Sequence, residues 1–137
     1  MCIRDRFQPV KVENIMDHKI HSEYINVSKE LVNEIINTKK IGGNIIAVGT
    51  TSLRAIETVF SKKLDQYEGL TDIFIYPGYQ FKAVDNLITN FHLPKSTLLM
   101  LVAAFVGFDR MKYLYEIAIK ERYRFLSYGD AMFLSRK

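Results

Sequence analysis

The most informative segment of this 137-residue chain is Asn44-Ile45-Ile46-Ala47-Val48-Gly49-Thr50-Thr51-Ser52. Its short, β-branched apolar run predicts a buried strand, and the residues after Gly49 turn into an amphipathic helix. A similar helix precedes it, with Ser28 as a good N-cap and Gly42-Gly43 at its end. The order helix, strand, loop, helix is typical of an α/β unit with a parallel strand.

Further segments on either side of this unit have recognisable patterns. Ser96 or Thr97 can cap an apolar helix that Gly107 ends, and Asp109 can cap a last amphipathic helix. The other patterns predict strands at residues 7–12, 72–76 and 84–87, and a polar surface loop at residues 62–71. The expected fold class is therefore α/β, with a mixed sheet and flanking helices.

Composition is that of a soluble globular protein, with 48% apolar and 25% charged residues and room for one domain. The longest apolar run, residues 98–107, is shorter than the roughly 20 residues that cross a bilayer. Residues 1–10 lack the apolar core of a secretory signal. Cys2 has no second cysteine to pair with, which fits a reducing compartment. We therefore expect a cytoplasmic protein without a membrane partner.

Positive charge is concentrated in residues 110–137. This segment carries seven Lys or Arg residues and three carboxylates, and it accounts for the net charge of +4. A basic surface suits a polyanion such as RNA. The alternative is a solvated helix face whose cations lie near the helix C-terminus, where the helix dipole favours them.

The loop after the predicted strand is one candidate binding site. Thr50, Thr51 and Ser52 place hydroxyl and N–H groups at the carboxyl edge of a sheet, where open α/β sheets bind ligands. Arg54 can form a bidentate contact with a carboxylate or phosphate. The alternative is that Thr51 or Ser52 only caps the helix and that Arg54 is solvated. The lysine of a P-loop is missing.

A second candidate site lies in Thr89-Asn90-Phe91-His92-Leu93-Pro94-Lys95. Pro94 ends any preceding strand, and a helix starts directly after it. Asn90, His92 and Lys95 thus lie beside the N–H groups of a helix N-terminus, which favour anions. The alternative is an ordinary strand–turn–helix connection.

His18 and His21, followed by Glu23, are the only pattern that suggests a metal. Two histidines three residues apart share a face only if the segment is helical. No further cluster of ligands supports the site, so we expect no metal.

Five segments, taken in order, carry a family resemblance. They are Asp17-His18-Lys19-Ile20-His21-Ser22-Glu23, Val48-Gly49-Thr50-Thr51-Ser52-Leu53-Arg54, Thr71-Asp72-Ile73-Phe74-Ile75-Tyr76-Pro77-Gly78-Tyr79, Thr89 to Leu101, and Tyr123-Arg124-Phe125-Leu126-Ser127-Tyr128-Gly129-Asp130-Ala131-Met132. Together they resemble the C-terminal part of the S-adenosylmethionine:tRNA ribosyltransferase-isomerase family of queuosine biosynthesis. The resemblance runs from Phe7 to about Phe133.

The resemblance implies a two-domain enzyme whose larger α/β catalytic domain ends with residues 7–137. The second domain would resemble a β-barrel, and the N-terminal majority of the family's sequence has no counterpart here. Residues 1–6 do not fit the family, which has a glycine-threonine pair before Phe7, so we expect a non-native leader there. We also expect the chain alone to be inactive and the full-length enzyme to be a monomer.

The implied reaction transfers and isomerises the ribosyl part of S-adenosylmethionine onto 7-aminomethyl-7-deazaguanine at the wobble position of a tRNA. The products are epoxyqueuosine-tRNA, adenine and methionine. The sulfonium acidifies the neighbouring ribose carbon, so a base is needed, and adenine leaves more readily when an acid protonates it. Histidine serves either need near neutral pH. His92, His21 and His18 are therefore the catalytic candidates, with acid and base unassigned.

The remaining candidates are assigned to the two substrates. We expect S-adenosylmethionine to be bound by Thr50, Thr51, Ser52, Arg54, Asp72 and Tyr76, and the tRNA by Asn90, Lys95, Tyr79 and Arg124. A sulfonium is attracted to aromatic faces and carboxylates, and unpaired bases stack on tyrosine. The alternative is that Tyr76 and Tyr79 are half-buried packing residues.

Two other classes of function remain open. One is a small phosphate- or nucleotide-binding hydrolase built on the loop at residues 49–54. The other is a non-catalytic RNA-binding module that uses the basic tail, in which Tyr123-Arg124-Phe125 interleaves charge with aromatic rings. The same three residues can instead be a core strip with one exposed arginine.

Overall fold

The computed structural model describes residues 22–136, where four helices flank two small sheets. The elements are β1 (Glu23–Val27), α1 (Lys29–Lys40), β2 (Ile46–Val48), α2 (Thr50–Ser61), β3 (Tyr67–Thr71), β4 (Asn86–Asn90), α3 (Thr97–Val106), α4 (Phe108–Lys120) and β5 (Ala131–Ser135). The leader at residues 1–6, the strand predicted at residues 7–12, and His18 and His21 lie outside the described residues.

The larger sheet has the strand order β2-β4-β5. β2 runs parallel to β4, with Ile46 opposite Asn86, and β5 runs antiparallel to β4, with Asn90 opposite Ala131. β1 and β3 form a separate antiparallel pair. The α/β class with a mixed sheet is thus confirmed. Because β2 and β4 are parallel, both strands end at the same edge of the sheet, at Val48 and Asn90.

Helix boundaries follow the local sequence closely. Ser28 caps α1, and its Oγ accepts from the N–H of Leu31 at 3.2 Å. Ser96 caps α3 in the same way. The cap predicted at Asp109 is wrong. Gly107 has φ +93°, which lets the chain turn from α3 directly into α4, so Asp109 falls in the first turn of α4.

One face of the larger sheet supplies the main core. Ala47, Leu87 and Leu134 face it and belong to one cluster with buried side chains of α2, α3 and α4. The prediction that β2 is fully buried is wrong, because Ile46 and Val48 are 50% and 66% exposed. Their face of the sheet is not covered by any part of residues 22–136, so only alternate residues of β2 are buried.

The sequence misplaces part of the smaller sheet. Tyr67–Thr71, predicted as a loop, forms β3 and pairs along its length with β1. Residues 72–76, predicted as a strand, join no ladder, although Ile75 is buried there. β3 contains Glu68 and Gly69, so its apolar alternation is weak, and its pairing with a distant segment determines its structure. β4 begins two residues later than predicted.

Candidate functional site

Two of the predicted loops meet in one cleft, which contains several polar side chains, at the carboxyl ends of β2 and β4. The cleft has a volume of about 350 Å³. It is lined by Val48, Gly49, Thr50, Thr51, Ile88, Thr89, Asn90, His92, Ser127 and Ala131. Thr50, Thr51, Asn90 and His92 were all proposed from the sequence, and the structure brings them together at the sheet edge where α/β proteins bind ligands.

The first wall of the cleft is the start of α2. Gly49 has φ +92° and donates its N–H to Ile88 O at 2.8 Å, so the chain passes from β2 into α2 without a loop. Gly49 is itself the N-cap, and no side chain caps α2. The alternative that Thr51 or Ser52 caps this helix is therefore wrong. Ser52 is exposed and does not line the cleft.

The second wall is the segment after β4, where His92 is only 2% exposed. Its Nε2 lies 2.9 Å from Thr89 Oγ1, and its backbone N–H donates to the hydroxyl of Tyr115 at 2.9 Å. Burial lowers the pKa of His92 to about 4, so the imidazole is neutral at pH 7. A strand and a helix thus hold a neutral ring at the cleft.

This buried histidine predicts a loss of stability in acid. The pKa falls from 6.5 to about 4 on folding, so the unfolded chain takes up the proton first as the pH drops. The stabilising effect is complete above about pH 6.5 and is lost towards pH 4, by on the order of 3 kcal/mol. In urea unfolding experiments, the free energy of unfolding should therefore fall less for His92→Gln than for wild type between pH 6.5 and pH 4, and the difference should equal this amount. Identical pH dependence in both proteins would contradict the burial effect.

The third wall is the loop before β5 together with the first residue of β5, and it places Ser127 and Ala131, neither of them a predicted site residue, in the cleft. The loop is closed by two hydrogen bonds. The N–H of Arg124 donates to Asp130 Oδ2 at 2.7 Å, and the N–H of Asp130 donates to Arg124 O at 2.8 Å. A Cβ on Gly129 would lie 2.2 Å from Arg124 O, so this closure requires glycine.

Asn90 and Phe91 attach this loop to the end of β4. Asn90 Nδ2 donates to Asp130 O at 3.1 Å, and the ring of Phe91 stacks on Phe125 with centroids 5.3 Å apart. Phe125 is thus half-buried against the core, whereas Tyr123 is 47% exposed, so the core-strip alternative describes Phe125 only. The side chain of Arg124 is 80% exposed beside it.

The structure places Arg54 away from the cleft. Its side chain is buried, and Nη1 lies 2.5 Å from Oε1 of Glu23. Nε and Nη2 donate to Ile73 O at 3.2 and 3.1 Å. The alternative that Arg54 is solvated is wrong. Its guanidinium has the predicted contact with a carboxylate, but that carboxylate belongs to β1 of the same chain.

Four other predicted residues also lie outside the cleft. Asp72 is exposed, and Tyr76 is half-buried against Phe74, with ring centroids 5.3 Å apart. The hydroxyl of Tyr79 donates to Glu57 at 3.1 Å, and burial followed by the Glu57 carboxylate raises the pKa of Tyr79. Lys95 is exposed and borders a separate, largely apolar groove. Tyr76 and Tyr79 are therefore half-buried packing residues, as the alternative interpretation predicted.

Residues 22–136 contain neither a group of potential metal ligands nor a helix that could span a membrane. There, no three His, Cys, Asp or Glu residues are grouped so that they could hold a metal ion. His18 and His21 lie outside that range, and the absence of a metal stays a prediction. Among the described helices, none has the length and apolarity needed to cross a membrane.

Comparison with known proteins supports the motif-based resemblance. Residues 4–134 match the family of queuosine biosynthesis proteins. This chain belongs to that family. It is also similar to the crystal structure of an S-adenosylmethionine tRNA ribosyltransferase from Thermotoga maritima, with 52% sequence identity and a TM-score of 0.75. That match covers 80% of this chain and 39% of the Thermotoga chain, so the chain spans less than half the length of this relative.

Proposed function

We propose that this chain supplies part of the active site of an enzyme that transfers and isomerises the ribosyl part of S-adenosylmethionine onto 7-aminomethyl-7-deazaguanine in tRNA. The product is epoxyqueuosine-tRNA. One observation carries the proposal: polar residues from two separate predicted loops line a single cleft in a chain 52% identical to an S-adenosylmethionine tRNA ribosyltransferase. The cleft lies where open α/β sheets bind ligands.

In this proposal the first wall binds S-adenosylmethionine. Thr50 and Thr51 offer hydroxyl groups, and the uncapped first turn of α2 offers N–H groups. Such donors suit a carboxylate or the hydroxyls of a ribose, because both accept hydrogen bonds. Asn90 and Ser127, on the opposite side, would contact the tRNA base.

His92 would accept a proton. Its imidazole is neutral at pH 7, because burial lowers its pKa to about 4, so the imidazolium that would protonate the leaving adenine is hardly populated. It can take the proton from the ribose carbon beside the sulfonium. A low pKa makes a weak base, so its contribution depends on its fixed position as much as on its basicity. His18 and His21 remain the proposed sources of the acid.

The candidates outside the cleft would act in other ways. Arg54 would position the start of α2 by joining that helix to β1. Tyr79 would help to hold the Glu57 side chain in position through its hydrogen bond. Arg124 has an exposed guanidinium and would contact a phosphate of the tRNA. Four further residues lie outside the cleft and would contact a ligand only where the rest of the enzyme or the bound substrate completes the site. They are Ser52, Asp72, Tyr76 and Lys95.

The proposal extends to the whole enzyme. Residues 7–137 would be the C-terminal part of its α/β catalytic domain, and the enzyme would act on tRNA in the cytoplasm as a monomer without a metal. We further propose that the 137-residue chain does not turn over alone, because the relative has a much longer chain.

The test is formation of epoxyqueuosine in tRNA that carries the precursor base. The complete polypeptide that contains this chain and the 137-residue chain are each incubated with S-adenosylmethionine, and nucleosides are identified by mass spectrometry. We expect epoxyqueuosine, with adenine and methionine released, from the complete polypeptide only. No product from it would refute the proposed function, whereas product from the chain alone would refute only its inactivity.

The same two preparations separate the other classes of function. Hydrolysis of a nucleotide by the 137-residue chain would support the hydrolase. RNA binding that no S-adenosylmethionine concentration alters, without turnover by either preparation, would support the RNA-binding module.

A further inference from the structure

The loop that forms the third wall of the cleft also carries an exposed aromatic residue. Tyr128 directly follows Ser127, which lines the cleft, and it is 83% exposed. The neighbouring aromatic residues of the loop are used for packing, since Phe125 and Tyr123 both contact the ring of Phe91. Tyr128 therefore differs from them in leaving both ring faces largely open to solvent.

The backbone holds Tyr128 in a fixed position. The N–H of Gly129 donates to Leu126 O at 2.8 Å, which makes Ser127 and Tyr128 the central residues of a β-turn. Leu126 has φ +70° and donates its N–H to Phe91 O at 2.9 Å. The turn thus stands on the core beside the end of β4. A ring on such a support loses little conformational entropy when a flat ligand stacks on it.

Two positive side chains precede this turn in the loop. Arg122 and Arg124 are exposed there, and Arg124 Nε lies 4.0 Å from Oδ2 of Asp130. A second hollow, of about 270 Å³, lies between α4 and β5, and Arg110 and Tyr123 are among its lining residues. Ala131 lines both this hollow and the cleft. The two therefore adjoin at Ala131, with Arg110 in the wall of the hollow and Ser127 of the turn in the wall of the cleft.

We propose that Tyr128 is a stacking platform for an unpaired nucleotide next to the one held in the cleft, with Arg124 and Arg110 facing phosphates of the same strand. The proposal rests on the proposed function, because it takes RNA as the ligand of the cleft. Exposed aromatic rings flanked by cations suit unpaired RNA, whose splayed bases stack on the ring while the backbone follows the charge. Duplex RNA keeps its bases stacked on each other and gains nothing from the ring.

The test measures RNA affinity of the complete polypeptide by fluorescence anisotropy. The probe is a fluorescein-labelled RNA stem-loop with an unpaired guanine at the position to be modified. We expect Tyr128→Ala to weaken binding by about tenfold or more, and Tyr128→Phe to stay within about twofold of wild type, because a phenyl ring also stacks. Affinity for a fully paired RNA duplex should be the same in all three proteins.

Two further variants show whether RNA affinity depends on stacking by Tyr128, on positive charge or on any exposed tyrosine. Tyr113 is 62% exposed on α4, outside the loop that lines the cleft, so Tyr113→Ala is the matched control and should leave affinity within about twofold. Arg124→Ala should reduce the slope of log affinity against log salt by about one unit, whereas Tyr128→Ala should leave that slope unchanged. Because both tyrosines are exposed, the variants should fold like wild type.

Several results would overturn the platform. They are RNA affinity of Tyr128→Ala equal to that of wild type, a loss of affinity in Tyr128→Phe as large as in Tyr128→Ala, or no stem-loop binding by the wild-type enzyme. If epoxyqueuosine forms but Tyr128→Ala binds RNA normally, the platform is wrong and the proposed function stands. If no epoxyqueuosine forms but RNA affinity depends on Tyr128, the proposed function is wrong and the platform stands.

Discussion

Replacement of His92 by alanine is expected to lower epoxyqueuosine formation by the complete enzyme by about 10²-fold or more, the usual contribution of a positioned acid–base group. The ring lies at the cleft, and hydrogen bonds to Thr89 and Tyr115 fix it and its backbone. It is neutral at pH 7, so the proton-accepting form is fully populated. Turnover is measured per folded molecule, with the folded fraction taken from near-UV circular dichroism.

Two variants distinguish chemistry from folding at this position. His92→Gln keeps a side chain that can bond to Thr89 but removes the base, so we expect it to lose turnover nearly as severely as alanine. Thr89→Val removes the bond to the ring and keeps the ring, so we expect a smaller loss. Near wild-type turnover per folded molecule in His92→Gln would reject the proton-accepting role and leave His92 as a buried structural residue.

Local sequence predicts those parts of the fold that depend on neighbouring residues. Ser28 and Ser96 cap helices because a serine hydroxyl can reach an N–H three residues along the chain. Gly107 ends α3 because it tolerates positive φ. Thr50 and His92 were predicted in two separate candidate sites, and the parallel pairing of β2 with β4 is what brings them to one sheet edge.

Long-range pairing is what local sequence does not contain. β3 exists because β1 lies beside it, and β5 because β4 does, although neither segment has a strong pattern of its own. Arg54 shows the same limit for a site. Neighbouring residues in the sequence do not distinguish a guanidinium that binds a ligand from one that binds Glu23, which is 31 residues away. Only the tertiary fold decides which carboxylate the arginine meets.

Glu57 is the clearest case of a residue that sequence alone misjudges. A glutamate in the middle of a helix is normally solvated, but Glu57 is fully buried. Its Oε1 accepts from the N–H groups of Ala83 and Val84 at 2.9 and 3.0 Å. Its Oε2 accepts from the N–H of Lys82 at 2.8 Å and from the hydroxyl of Tyr79 at 3.1 Å. One carboxylate thus satisfies four donors of the segment that leads into β4.

Glu57→Gln is therefore expected to lower the free energy of unfolding by about 3–5 kcal/mol. The glutamine side chain has one acceptor oxygen, and its NH₂ group would face donors that now bond to the Glu57 carboxylate. Tyr79→Phe removes one donor of the four and should cost only about 1 kcal/mol. Urea unfolding measures both, and Glu34→Gln, on the exposed face of α1, is the matched control, with a change within about 0.5 kcal/mol. Hydrogen exchange should locate the damage, with faster exchange at the amides of residues 82–84 than in α1. A loss below about 1 kcal/mol in Glu57→Gln would mean that water or rearrangement satisfies these donors, and that the approach to β4 does not depend on the carboxylate.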